Sequence, residues 1–179
     1  MAESFSNKVG RAVGVVTSST GASVGITTNK ITGISTDGVS INDLVDTGNY
    51  IAGTKVSIIG ENEVTVDRDS TNTASATSQI VKFMQPTVLY TSGSGVKTIL
   101  IGGTFANNTN GQVALTVELL DNSTGISVAL ASKIPVPAGS SFVISDTGKT
   151  LLESLDAIRV YCDTANAIDA NISILTGVN

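Results

Sequence analysis

Short stretches of alternating apolar and polar residues run along this chain, and turn-forming residues separate them. The clearest is residues 113–119, in which Val, Leu, Val and Leu alternate with Ala, Thr and Glu. A period of two places the apolar side chains on one face of a half-buried strand. Between residues 79 and 179, about seven or eight such stretches recur every 8–12 residues, as in β-sandwiches. The pattern predicts an all-β fold, an antiparallel β-sandwich of immunoglobulin-like or jelly-roll-like type plus a small inserted β-module.

Residues 133–160 are the stretch around which the larger domain is organised. Pro135 and Pro137 keep the chain extended and exclude it from a central strand. Gly139 allows a turn, and Asp-Thr-Gly-Lys at residues 146–149 predicts a second turn. Residues 151–158 are compatible with a short helix. We favour two strand ends around a turn, because residues 158–162 alternate clearly.

Three segments are expected along the chain. Residues 1–14 form either an extended arm or the first strand, since Gly10 and Gly14 weaken a helix there. Residues 15–78 form the small inserted β-module, with short strands separated by glycines. The module ends in a Ser/Thr-rich linker or surface crossing at residues 70–78, which contains no large apolar side chain. Residues 79–179 form the β-sandwich domain.

The composition and charge of the chain limit which kinds of partner and cellular location we expect. Charged residues make up 14% of the chain, against about 25% in typical domains, and 41% of residues are hydrophobic. This suits a subunit of an assembly, and equally an ordinary all-β domain with a Thr-rich surface. The net charge of −5 argues against nucleic acid as a partner. Neither a membrane-spanning apolar run nor a signal-peptide core is present, so we expect neither membrane insertion nor secretion by that route.

The residues available for catalysis or metal binding are few. The chain has no His, which excludes Ser-His-Asp and Cys-His catalysis, and its single cysteine cannot form a thiolate zinc site. Cys162 is in phase with Ile158 and Val160, which predicts a buried structural thiol. Gly-Lys-Thr at residues 148–150 ends like a phosphate loop, but Val143 occupies the place of its first glycine. We predict no catalytic residue, no cofactor and no metal site.

Acidic residues concentrate in the inserted module, and they are the one group of oxygen ligands that a cation might use. The twelve-residue calcium loop pattern is absent, so solvated turn residues are the favoured interpretation, and cation binding stays open. Sugar binding is disfavoured by an aromatic content of 4% with no Trp. The aspartates are Asp37, Asp43, Asp46, Asp67 and Asp69.

Several short motifs resemble a known family. The sequence is similar to the small β-sandwich virion proteins of marine tailed phages, especially cyanophages, into which about 65 residues would be inserted here. The insert resembles a short β-module of phage fibres and bacterial surface proteins. The family-like motifs are SNKV from Ser6, TVLYT from Thr87, VKTILIG from Val96, IPVPAGSS from Ile134, LLESLDAIRV from Leu151 and IDANISIL from Ile168; those of the insert are NDLVD from Asn42, IAGTKVSII from Ile51 and VTV from Val64.

With the low charge and the missing catalytic groups, the resemblance implies a non-enzymatic structural protein of a tailed-phage virion, assembled in the host cytoplasm. The leading hypothesis is a capsid decoration or cement protein. The alternatives are a neck, tail or baseplate adaptor for fibres, and a host-surface carbohydrate- or receptor-binding module.

The expected partners are other virion proteins, either the major capsid protein or neck and tail proteins. Copies of the chain are also expected to associate, with a trimer as the candidate, and neither nucleic acid nor membrane is expected as a partner. Docking is assigned to the edge strands or to an arm carrying Phe5, Val9 and Val13. On this hypothesis, deleting residues 1–14 abolishes particle binding and leaves the fold intact.

Overall fold

The computed structural model describes residues 3–178, and the side chains of residues 146–148 lie outside that description. Every regular element in the described range is a β-strand, which confirms the all-β prediction. The strands are β1 Ser4–Val13, β2 Val15–Val24, β3 Lys30–Thr32, β4 Leu44–Asp46, β5 Val56–Ile59, β6 Glu63–Val66, β7 Ala76–Gln85, β8 Thr87–Thr91, β9 Lys97–Asn107, β10 Val113–Asp121, β11 Ile126–Val136, β12 Ser141–Leu152, β13 Ala157–Cys162 and β14 Ile168–Val178.

Two four-stranded antiparallel sheets form the predicted β-sandwich. Sheet I has the strand order β1-β14-β9-β12, and sheet II has the order β11-β10-β13-β8. Both belong to one compact unit, the sandwich unit, which comprises residues 3–14 and 87–178 of the described chain. The first strand of sheet I thus comes from the N-terminal end of the chain, and the other seven strands follow the inserted segment.

Alternate side chains of sheets I and II fill a single apolar core. Leu115 and Val117 of β10 are fully buried, as is Phe105 of β9, whose ring centroid lies 6.5 Å from that of Phe142. Burying each such side chain contributes roughly 1.5–3 kcal/mol. Cys162 is also buried, as its alternation predicted, and burial raises the pKa of its thiol. The period-two pattern of the sequence therefore identifies this core correctly.

The organising stretch around residues 133–160 is partly as expected. Pro135 lies in β11, an edge strand of sheet II, where a missing N–H is tolerated. β12 ends at Leu152 and β13 begins at Ala157, so the strand interpretation of residues 151–158 is correct. The predicted turn at residues 146–149 does not reverse the chain. β12 pairs antiparallel with β9 on both sides of it, and a register shift between Ser145 and Thr150 takes up the extra residues.

The inserted unit, Val15–Pro86, is a six-stranded antiparallel sheet that closes on itself. Sheet III has the order β4-β7-β2-β3-β6-β5. Its two end strands meet at a bridge between Leu44 and Lys55, beside a 2.9 Å bond that the Val45 N–H donates to the Thr54 carbonyl. This contact joins the two end strands, which would otherwise be the open edges of the sheet. Its core is a separate cluster that includes Ile31 and Phe83.

The predicted boundary at residue 78 is wrong, because residues 79–86 belong to the inserted unit. β7 pairs with β2 from Val24↔Ala76 to Val15↔Gln85, which places the start and end of the insert on neighbouring strands. The predicted linker is also part of the fold. The Ser70 hydroxyl donates to the Gly25 carbonyl at 2.8 Å and accepts from the Thr28 N–H. Short polar side chains here bond to backbone groups, a role that composition alone does not reveal.

Tyr50 gives the inserted unit a measurable pH dependence. Its side chain is buried, and its hydroxyl lies 3.1 Å from the Thr28 carbonyl and 3.3 Å from that of Lys30. Burial first, and the charge of Asp69 second, raise the pKa of Tyr50 from 10.0 to about 12. Folding favours the neutral phenol, so its contribution to stability is present below pH 10 and is lost as the pH rises toward 12.

We therefore expect the tyrosinate absorbance step that Tyr50→Phe removes to lie near pH 12. The difference between the titrations of the wild-type and Tyr50→Phe chains isolates this step from those of the other two tyrosines. A difference step near pH 10 instead would show that the Tyr50 hydroxyl is solvated in the folded protein.

Candidate docking surface

The N-terminal segment is a strand of the sandwich and not a free arm. β1 pairs with β14 from Ser4↔Thr176 to Val13↔Ile168. Phe5 and Val9 point away from the core and are 75% and 77% exposed, whereas Val13 is buried in the core cluster. Val13 is therefore a core residue and not a docking residue. Deletion of residues 1–14 would remove a strand of sheet I, so we expect it to disrupt the sandwich, in contrast to the hypothesis that the fold stays intact.

A row of apolar side chains crosses all four strands of sheet I on the face opposite the core. Phe5 pairs with Leu175, Leu175 with Ile99, and Ile99 with Leu151. The next residues inward, such as Ile174 and Leu152, are buried, which fixes the row on the outer face. Phe5 and Leu151 are the most open members, and the two middle residues are half-buried. We call this set the apolar row.

The rest of the outer face of sheet I is small and mostly uncharged. Asn7, Ser173, Gly102 and Ser145 follow the apolar row in register, and the Ser173 hydroxyl donates to Asn7 Oδ1 at 2.9 Å. The following row is Val9, Asn171, Thr104 and Val143. Charged side chains border these rows at both ends: Glu3 lies on the outer phase before Phe5, and Arg11 and Asp169 line a shallow depression beyond Val9. The face therefore offers an apolar row bordered by short polar groups.

The inner side of β1 closes the sandwich next to β8. The Lys8 ammonium lies 5.7 Å from the centroid of the Tyr90 ring, and the Tyr90 hydroxyl is 3.0 Å from Thr98 Oγ1. At Gly10 a Cβ would come within 2.6 Å of Leu89 Cδ2, so this strand lies close to β8. These contacts hold β1 firmly and leave its outer side chains free.

The outer face of sheet II carries an ion pair that the sequence analysis did not identify. Arg159 Nη2 lies 3.2 Å from Glu118 Oε2, and the two side chains are only 10% and 4% exposed. The same nitrogen donates to the Ser127 hydroxyl. Glu118 and Arg159 are partners in the β10–β13 register. The alternation of β10 predicts that Glu118 faces outward, but only the strand register shows that Arg159 lies opposite it.

Two of the aspartates in the inserted unit accept backbone N–H groups. Asp43 is buried and accepts the Ser40 N–H at 2.8 Å, and burial raises the pKa of its carboxyl despite that bond. Asp67 accepts the Lys55 N–H at 2.8 Å. Among the residues with described side chains, no three acidic, histidine or cysteine groups gather as metal ligands would. The described chain also contains no helix suited to crossing a membrane.

Comparison with known proteins assigns no family. No protein-family model matches the chain, and no curated protein matches it. A weak structural match is to a chain in "Structure of infectious bursal disease virus Gt strain", with 11% sequence identity and a TM-score of 0.29. The alignment covers 96% of this chain and 55% of that one, so this chain spans about half its length. A likeness this weak carries no argument about function.

Sequence reasoning found part of the candidate surface. Phe5 and Val9 were named from the N-terminal segment, but Leu175, Ile99 and Leu151 were missed. Each missed residue is apolar but directly adjacent in sequence to a core residue, Ile174, Leu100 or Leu152, so alternation places it on the outward side of its strand. An apolar side chain in such an outward position is the signal that could have identified it. Only the strand register shows that these residues form one row with Phe5.

Proposed function

We propose that this chain is a non-enzymatic structural protein of a tailed-phage virion, and that it decorates or cements the head. The observation that carries the proposal is the apolar row on the outer face of sheet I. Contiguous exposed apolar side chains on a folded unit mark an interaction surface. The row runs across the whole width of a rigid sheet, so it can contact a flat partner without rearrangement.

The chemistry of the face defines the partner that it would accept. The cross-strand row that contains Phe5 and the row that contains Val9 have no charged side chain. A surface complementary to them is therefore apolar with small polar groups. A repeated subunit of a capsid lattice can present such a surface many times. The low charge of the whole chain, 14% of residues, suits a protein whose solubility is required only until assembly. The motif resemblance to tailed-phage virion proteins supports the same class.

A neck or tail adaptor is the second candidate, and the inserted unit favours it. Residues 15–86 form a compact unit with their own core, and they enter and leave through the neighbouring positions Val15 and Gln85. Such a unit can hold a second partner while the sandwich unit docks. Its outward side chains include Ile58 and Ile80, each 61% exposed.

The experiment that tests the proposal locates the chain on phage particles. A tag is added after Asn179, and purified virions are labelled with gold and imaged. Label spread over the head is the expected result, and label confined to the neck or tail tip would replace decoration with the adaptor role. Absence of label on intact particles, with the tag shown to be accessible, would overturn the assignment to a virion.

A matched pair of substitutions then tests the docking face. Leu151→Lys places a charge in the apolar row, whereas Ile126→Lys changes a similarly exposed residue at the end of β11 in sheet II. We expect incorporation into particles to fall at least about tenfold for Leu151→Lys, since an unpaired lysine buried at an interface costs more than 1.4 kcal/mol. Ile126→Lys should be incorporated normally. Equal incorporation of both variants would exclude this face.

A further inference from the structure

Three of the four edge strands in the sandwich carry features that block pairing with another chain. β8 is only 5 residues long, β11 contains Pro135 and two register shifts, and β12 has a register shift between Ser145 and Thr150. Short strands, prolines and bulges are the usual protection of sheet edges. β1 is 10 residues long and is regular from Ser4 to Gly10, with its register shift confined to the stretch between Gly10 and Val13.

The open edge of β1 also carries exposed apolar side chains. Phe5 and Val9 lie on the outer face of sheet I, each two residues from Asn7. A long edge with exposed apolar residues is a template for strand addition. The end strands of sheet III, β4 and β5, are only 3 and 4 residues long and are bridged to each other.

The charges along this edge select a partner. Glu3 precedes the strand on the outer phase, and Arg11 lines the outer depression near its end; both are exposed. When the strand pairs antiparallel with its own copy about Asn7, Glu3 faces Arg11 of the second copy, and Phe5 faces Val9. Opposite-charge and aromatic–β-branched pairs both stabilise neighbouring strands. Shifting the register by two residues in either direction loses both pairs.

We infer that the partner of the β1 edge is a second copy of this chain, joined by antiparallel β1–β1 pairing centred on Asn7. The two copies of sheet I become one eight-stranded sheet around a twofold axis, and their outer faces lie on the same side. Such pairing is isologous and stops at two copies, so it gives a dimer in place of the expected trimer. The inference stands on the edge and its charges alone, and it holds whether or not the chain belongs to a virion.

One pair of strands buries little area, so the dimer is expected to be weak in solution. Stable complexes bury about 1,200 Å² or more. We therefore expect dissociation constants of tens to hundreds of micromolar, which sedimentation equilibrium of the full chain measures. Copies held near one another on a surface would pair more readily through their raised local concentration.

The charge pairs give the sharpest test of the register. The twofold axis creates two Glu3–Arg11 contacts in the dimer. Glu3→Lys turns both into contacts between positive charges and Arg11→Glu turns both into contacts between negative charges, so each substitution should weaken association by about tenfold. The double variant restores opposite charges and should regain most of the wild-type affinity. Ile126→Lys, in sheet II and away from β1, is the control and should not change association. A monomer at about millimolar concentration, a trimer, or no recovery in the double variant would overturn the inference.

Two single cysteine variants locate the twofold axis along β1 without a measurement of affinity. Asn7→Cys should form an interchain disulfide under mild oxidation, because only the residue at the twofold axis faces its own copy at the ~5.5 Å that disulfides need. Phe5→Cys should not, since the two copies of that position lie about four residues apart along the strand, roughly 13 Å. Cys162 is buried, so the parent chain should stay uncrosslinked. Crosslinking at Phe5→Cys in preference to Asn7→Cys would overturn this register.

Discussion

Glu118→Leu is expected to destabilise the sandwich unit by about 3–5 kcal/mol, one of the two largest losses that we predict for a single substitution. The change leaves the Arg159 guanidinium in a site where its side chain is only 10% exposed and where its Glu118 partner is gone. An unpaired buried charge costs far more than the pair itself contributed. Peptide-resolved hydrogen exchange over β10 and β13 measures the loss and separates it from events in the inserted unit.

The control for this prediction removes both charges. Glu118→Leu combined with Arg159→Met should recover to within about 1 kcal/mol of the wild-type free energy of unfolding, because neither member of this ion pair then remains buried alone. If Glu118→Leu alone leaves protection in β10 and β13 unchanged, then water reaches the guanidinium and the site is not buried in solution.

Gly14→Ala should destabilise the sandwich unit by more than about 3 kcal/mol, combining left-handed strain with overpacking. Gly14 has a φ of 111°, and a Cβ there would lie 2.1 Å from Cys162 Sγ and 2.9 Å from the Thr164 carbonyl oxygen. The Gly14 carbonyl also accepts the Asn166 N–H at 2.8 Å, so the backbone has little freedom to move away. Urea unfolding monitored by circular dichroism measures the change.

Two variants separate strain from contact at this position. Gly95→Ala has a similar left-handed backbone, with a φ of 68°, but nothing lies within 4 Å of its added Cβ, so it should cost only about 1–2 kcal/mol. Gly14→Ala with Cys162→Ala removes the sulfur and should recover part of the loss relative to Cys162→Ala alone. Equal losses for Gly14→Ala and Gly95→Ala would show that the contact with Cys162 contributes nothing.

Local sequence determined the elements of this protein and the content of its cores. Residues 113–119 form the predicted strand with its apolar face in the core, although Thr116 and Glu118 on the polar face are also buried. Cys162 is buried as its phase required, and Pro135 marks an edge strand. These outcomes were predictable because side-chain alternation and proline geometry act over a few neighbouring residues. Where local signals were weak, the predictions failed. The Ser/Thr-rich composition of residues 70–78 predicts a linker, whereas Ser70 and Thr71 bond to backbone groups within the inserted unit and β7 begins at Ala76.

The candidate surface depends on contacts between distant residues, which the sequence does not display. Phe5 and Leu175 lie at opposite ends of the chain, yet they are cross-strand partners in sheet I. The same holds for Glu118 and Arg159, which form an ion pair across 41 residues.

The alternating pattern shows which side of a strand a residue occupies, but not which strand lies beside it or in what register, because the same alternation fits many pairings. The sequence by itself thus determined that the chain is all-β and which residues of its strands are buried. The tertiary structure alone decided that β1 is a sheet edge, that sheet III closes, and that four apolar residues form one row.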